Sequence, residues 1–172
     1  GCGAEVISGG ELYRARQAGI DGDKIIFDGP GKSSQEIRYA LREGVLLFNV
    51  ESEQELELLN TIAGCMRVKA RISLRINPDV NPKTHKKIAT GLKENKFGVP
   101  IETALRYYKR AAGMKDIEVM GLHQHIGSQI TGVGPYKDSV GKLLKLLDNL
   151  RSEGIAIKYL DIGGGPGIRY RN

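Results

Sequence analysis

Two stretches of this sequence carry residue types and spacings that could do chemistry. Tyr159–Gly167, YLDIGGGPG, begins as an apolar–polar alternation and ends in Gly163, Gly164 and Gly165, followed by Pro166 and Gly167. Three consecutive glycines leave the main-chain N–H groups without a neighbouring Cβ, so they can converge on an anion. A flexible turn is the competing reading. His123–Gln129, HQHIGSQ, is the second stretch. His123 and His125 are two residues apart and share a strand face, with His125 nearer the rim. Gly127 and Ser128 then turn the chain. The Ser128 hydroxyl and nearby amides suit a phosphate oxygen. An imidazole there can lie flat on an aromatic ring, ligate a metal, move a proton or simply fill a core.

Two further residues stand out. Arg75 lies on the polar face of ARISLRIN, Ala70–Asn77, and an inward guanidinium needs an acceptor: Glu51, Asp161 or an external anion. Glu11 follows Gly9-Gly10 in what reads as a first helical turn, where a carboxylate is favoured by the helix dipole. His85 falls in a long polar loop and is expected to be exposed.

Strands and helices alternate to position these groups. Strands are predicted at Ala4–Ser8, Lys24–Asp28, Val45–Val50, Ala70–Asn77, Ile117–Ile126 and Lys158–Gly163. The helices between them carry apolar residues at helical spacing: Ile37, Ala40 and Leu41; Leu56, Leu59 and Ile62; Ala104, Leu105, Tyr108 and Ala111; Val140, Leu143, Leu144, Leu147 and Leu150. Ser33 or Ser34 caps one helix, and Ser52 with Glu55 reads as a capping box. The loop from about Asp79 to Val99 is too long for a mere connector and suits a lid or binding segment. Repeated βα units of this size imply parallel strands, either doubly wound or rolled into a (β/α)8 barrel. No strand-order reversal is signalled and polar residues recur at the strand ends, so the expected fold is α/β: a TIM-type barrel with about six of its eight strands present. By the rule that barrel chemistry sits at the carboxyl ends of the strands, the rim comprises Ser8, Asp28, Asn49, Glu51, Arg75, Asn77, His125 and the glycines at 163 to 165. An open six-stranded arc would leave two edges unpaired, so other strands are expected to close it.

Composition excludes several classes. The 172 residues are 40% hydrophobic and 27% charged with net charge +6, and the basic residues are scattered rather than blocked, so no nucleic-acid partner is expected. No run of about 18 apolar residues exists, so no membrane span is expected. Two cysteines, Cys2 and Cys65, make neither a zinc site nor a disulfide framework; a reducing, cytoplasmic location is expected. The first residue is Gly1 and both ends read as cut, so the chain is expected to be a piece of a longer protein.

GAEVISGGEL, NVESEQELELL, LRINPDVNPKTH, TGLKENKFG, HQHIGSQ and LDIGGGPGI occur in the order seen in diaminopimelate decarboxylases. The whole chain resembles that family, which shares its pyridoxal-phosphate fold with ornithine and arginine decarboxylases and alanine racemase. The resemblance implies a lyase of lysine biosynthesis that decarboxylates meso-diaminopimelate to L-lysine with pyridoxal 5'-phosphate. It implies that His125 stacks on the cofactor ring, that Ser128 and the backbone of Gly163, Gly164, Gly165 and Gly167 hold the phosphate, that Arg75 lies close to the ring, and that Glu11 is the acidic residue near the cofactor. Glu5 stands where relatives usually carry Asp, and Pro166 where they often carry Leu. The resemblance also implies that residues 1–172 form a pyridoxal-phosphate-binding barrel truncated at both ends. The Schiff-base Lys then lies upstream, no catalytic residue is present, the C-terminal β-domain is absent, and the full-length protein is a homodimer; Lys32 is the nearest substitute amine. A metal-dependent hydrolase using His123, His125, Asp161 and His85 is the rival from another class, although no metal site is expected. A non-catalytic barrel homologue, or a decarboxylase of ornithine, arginine or a carboxylated polyamine, are the others.

Overall fold

The computed structural model describes residues 2–80 and 97–168. His85 and most of the expected loop segment, including residues 81–96, lie outside the described residues. Strands β1 (Ala4–Val6), β2 (Ile25–Phe27), β3 (Leu47–Val50), β4 (Ala70–Asn77), β6 (Ile117–His123) and β7 (Tyr159–Asp161) form one parallel sheet in that order. A two-residue strand, β5 (Val99–Pro100), pairs with the carboxyl end of β4. Helices α1 (Gly9–Gln17), α2 (Ser34–Glu43), α3 (Glu53–Met66), α4 (Ile101–Ala112) and α5 (Gly134–Ser152) alternate with them.

The sheet curls. Asn49 on β3 donates its Nδ2 to Asp161 Oδ2 on β7 at 3.0 Å, yet β4 and β6 lie between them. In a flat sheet three strand spacings are about 14 Å, beyond the reach of two short side chains. The architecture is therefore the expected TIM-type barrel arc, with six parallel strands in the curled sheet, and not a doubly wound sheet.

The starts of α1, α2 and α3 are capped by the serines before them, Ser8, Ser33 and Ser52. Ser33 and Glu36 form a full capping box on α2, and Glu36 also accepts from Gly9 N–H at 2.9 Å, tying α1 to α2. Ser52 caps α3, but the Glu55 carboxylate reaches past the cap to Glu51 N–H and to Lys32, so the expected box there is incomplete. The core lies between strands and helices: Phe27 and Phe48 stack 6.1 Å apart, and Leu56, Leu59 and Ile62 are buried in the same cluster, as expected. The α5 stripe differs from expectation. Ser139, Leu143, Leu146 and Leu150 are buried, whereas Leu144 is 47% exposed. Ser139 accepts from Gln124 Nε2 at 2.9 Å, a polar contact that the helix makes on its buried side.

Strands also end earlier than the apolar runs suggest. β6 stops at His123, because its partner β7 stops at Asp161 and the chain then turns at Gly163, φ +71°. A one-residue irregularity lies between Ile72↔Val119 and Ser73↔Gly121. It inverts the facing of β6, so that His123 and not Leu122 enters the barrel beside Arg75.

Candidate functional site

The two glycine-containing stretches lie against one another at the carboxyl ends of β6 and β7. Ile130 N–H donates to Gly165 O at 2.9 Å and Gly167 N–H to Ile130 O at 2.9 Å. A Cβ on Gly163 would strike the Gln124 carbonyl oxygen, and one on Gly165 the Gly127 carbonyl oxygen. Both have φ in the left-handed region, +71° and +92°, so no other residue type gives this approach without strain. His125, Ser128 and Gly163 to Gly167 thus share one pole.

The amides of this loop are not equivalent. Gly163 N–H donates to Asp161 Oδ1 at 2.9 Å and Gly167 N–H is spent on Ile130. Gly164 and Gly165 N–H groups bond to no described residue, and a Cβ on Gly164 would meet nothing within 4 Å. Tyr136 Oη donates to Gly164 O at 2.9 Å and pins the loop from α5.

Beside the loop opens a cavity of about 360 Å3 lined by Glu5, Ile7, Asp28, Gly29, Pro30, Arg75, Phe97, His125 and Gly164. Arg75 pairs with Glu51 at 2.7 Å, one of the two intramolecular acceptors anticipated for it, and its guanidinium lies 5.4 Å from the Phe97 ring centre. His125 is half-buried, and burial pushes its pKa down. Glu11 is not among the lining residues. Its carboxylate accepts from Ile7 N–H at 2.7 Å while Ser8 Oγ accepts from Glu11 N–H, so it secures the start of α1.

Below the mouth lies a cluster that sequence reasoning did not assemble. His123 is fully buried between Asp28 Oδ1, 3.7 Å from Nδ1, and Asp161 Oδ2, 3.9 Å from Nε2. Neither ring nitrogen bonds to a described residue, nor does Asp28 Oδ1. Burial pushes His123 down to about 4 against the pull of both carboxylates. Glu5 is pushed up to about 7, first by burial and then by Asp161 and Asp28. Ligand atoms of Glu5, Asp28 and His123 lie within 4.8 Å of one another, a spacing a metal ion could use; His125 and Asp161, named in the hydrolase alternative, are not in that trio. Alternation along β1, β2 and β7 was the available signal for Glu5, Asp28 and Asp161 facing inward. Lys32, the nearest substitute amine, is consumed: Nζ donates to Gly29 O, Asn49 O and Glu55 Oε1 at 2.7–2.8 Å, and its side chain is 2% exposed.

Residues 1–172 match the family described as pyridoxal-dependent decarboxylase, pyridoxal binding domain. The chain belongs to this family. Members similar to it include diaminopimelate decarboxylases of Aquifex aeolicus, 50% identical over 171 residues, and Pseudomonas aeruginosa, 50% identical over 172; the match covers 99% and 100% of this chain and 41% of each relative. The solved diaminopimelate decarboxylase of Helicobacter pylori complexed with L-lysine superposes with a TM-score of 0.96 at 45% identity, covering 99% of this chain and 43% of that one. A lysine decarboxylase of Selenomonas ruminantium does so with a TM-score of 0.82 at 27% identity, covering 95% and 40%. The chain therefore spans about two fifths of the length of these family members. As a pyridoxal-binding decarboxylase domain its cofactor is pyridoxal phosphate, and the site fits that group. The cavity is of small-cofactor size, two loop amides and a hydroxyl are available for an anion, and an imidazole and a guanidinium flank the same mouth.

Proposed function

We propose that this chain is the cofactor-binding part of a lyase that removes the carboxylate from the D-centre of meso-diaminopimelate, giving L-lysine and CO2. The observation that carries the reading is the seating of His125–Gln129 against Gly163–Gly167 at one pole of the half-barrel. The names of relatives at 50% identity support the substrate. In this reading Ser128 with the Gly164 and Gly165 amides holds the phosphate. His125 supports the ring, and Arg75, steadied by Glu51, borders it. Bound there, pyridoxal phosphate supplies an electron sink for the carbanion left when CO2 departs. The inward carboxylates Glu5 and Asp28 with His123 set the polarity of the floor, and Phe97 and Pro30 keep part of the mouth dry.

We place the lysine that bonds the cofactor, the remaining strands and a C-terminal β-domain outside residues 1–172, a reading supported by the two-fifths coverage of the relatives. We also propose a homodimer in the cytoplasm; no helix among the described residues is long and apolar enough to cross a membrane. The test is turnover by the full-length protein supplied with pyridoxal phosphate. CO2 and L-lysine should form in equal amounts from meso-diaminopimelate, and the 172-residue chain alone should form neither. Turnover of ornithine, arginine or lysine without turnover of meso-diaminopimelate would overturn the assignment. Light scattering on the same preparation tests the dimer.

A further inference from the structure

We infer that Asp161 and Asn49 are positioning residues for the phosphate loop: a hydrogen-bonded chain crosses the barrel interior and holds Gly163 in place, so that the amides after it are presented to the anion. The chain has three links. Ser73 Oγ on β4 donates to Asn49 Oδ1 on β3. Asn49 Nδ2 donates to Asp161 Oδ2 on β7 at 3.0 Å. Asp161 Oδ1 accepts the Gly163 N–H at 2.9 Å. Ser73 and Asn49 are fully buried, so the first link is shielded from water, and the other two run outward through the half-buried Asp161 to Gly163.

Asp161 acts on both stretches of the site at once. Its backbone oxygen accepts from Gln124 N–H at 3.0 Å, which fixes the β6 exit leading to His125 and Ser128. Its side chain fixes the turn at Gly163, where φ is +71°. A carboxylate accepting a main-chain amide two residues on makes a tight turn. Here that bond also removes Gly163 from the set of anion donors. Gly163 is therefore held by the chain and does not itself hold the ligand; Gly164 and Gly165 remain, with Ser128.

Donor and acceptor are matched at the centre of the chain, and this gives the test. Asp161 offers only acceptors, and Asn49 must turn its amide nitrogen toward it. Asp161→Asn keeps Oδ1 for Gly163 but loses the charge and turns an amide nitrogen toward Asn49, which can meet it only by flipping and giving its own Nδ2 to Ser73 Oγ. Asn49→Asp brings two carboxylates together. The double variant Asn49→Asp/Asp161→Asn restores one donor facing one acceptor, while Ser73 still finds an oxygen.

The inference rests on the phosphate placement proposed above, so two ligands are compared in the full-length protein: pyridoxal 5'-phosphate and pyridoxal, each by equilibrium dialysis with absorbance. Melting by circular dichroism is recorded alongside. Wild type should bind the phosphorylated ligand more tightly. Each single variant should weaken pyridoxal 5'-phosphate by about tenfold and pyridoxal by less than about twofold. The double variant should recover most of the loss. If wild type binds both ligands equally, the phosphate placement fails and the clamp with it. If wild type discriminates but the single variants lose both ligands alike, or the double variant is no better than the worse single one, the clamp alone is refuted. Should Asp161→Asn not fold, Asn49→Ala removes the central donor and carries the same comparison; an unchanged preference for the phosphorylated ligand then refutes the clamp.

Discussion

Removing the Glu51 carboxylate tests the electrostatics of the mouth. Glu51 follows β3, and its Oε1 accepts from Arg75 Nη1 at 2.7 Å; the two side chains are 6% and 8% exposed. Burial pushes the Glu51 pKa up, and the Arg75 cation opposes that rise. Glu51→Ala leaves a buried guanidinium without its bonded carboxylate, set against the Phe97 ring, with Asp28 and Glu5 acting on it only through space. Breaking a buried pair by deleting one partner costs about 3–5 kcal/mol. Arg75 borders an open cavity that admits water, so the lower end, about 3 kcal/mol, is expected. Glu51→Gln keeps an acceptor oxygen and loses the charge, for about 1–2 kcal/mol. Replacing both partners, as Glu51→Leu/Arg75→Met, should return stability to within about 1 kcal/mol of wild type, because neither member of the bonded pair is left buried alone. Urea unfolding of the full-length protein at pH 7, read by circular dichroism, measures all three. Equal stability of Glu51→Ala and the double replacement would show that the stranded cation is not what costs stability.

Three more outcomes are expected. Gly165→Ala, at φ +92° and with its Cβ against the Gly127 carbonyl, should cost about 1–3 kcal/mol and release pyridoxal phosphate on dialysis; full retention would contradict the close approach. Tyr108→Phe removes the bond from the buried Tyr108 Oη to Gly121 O, 2.9 Å, and should lower stability by about 1 kcal/mol with no change in cofactor binding, as thermal melting with and without ligand would show. Glu5, pushed up to about 7 from 4.5, contributes stability that is complete below pH 4.5 and lost as pH rises through 7. His123, pushed down to about 4 from 6.5, contributes stability that is complete above pH 6.5 and lost as pH falls toward 4, so the two slopes oppose between pH 4.5 and 6.5. Glu5→Gln imitates the protonated acid, so its melting temperature should gain on wild type between pH 5 and pH 8; a constant difference would exclude a raised Glu5.

What the sequence made legible was local or periodic. The Ser33 cap, the Leu56–Leu59–Ile62 stripe and the alternation along ARISLRIN each encode their own environment within a few residues, whereas the box that Glu36 completes was not read. The shared pole of His125 and the glycine run followed from the same regularity, since successive parallel strands end on one side. Contacts across the curl were not legible. Asn49 meets Asp161 over 112 positions only because the sheet bends, and alternation states which side chains face inward without stating which pairs meet. The α5 stripe was misjudged because leucines flank both sides of the helix, and a contact from Gln124 to Ser139 chose between them. Lys32 misleads for another reason: its composition signals a surface, but two carbonyls and Glu55 enclose it.

The enclosure of Lys32 also bears on how the protein meets reactive carbonyl compounds. An ammonium held by three oxygens and shut off from solvent is a poor nucleophile, because it must shed a proton and its partners before it can attack. Covalent footprinting with an amine-directed reagent should leave Lys32 unlabelled while Lys24, half in water beside Asp21, is modified readily. Near the mouth, this stretch of the protein is thereby kept from capturing an aldehyde at the wrong nitrogen.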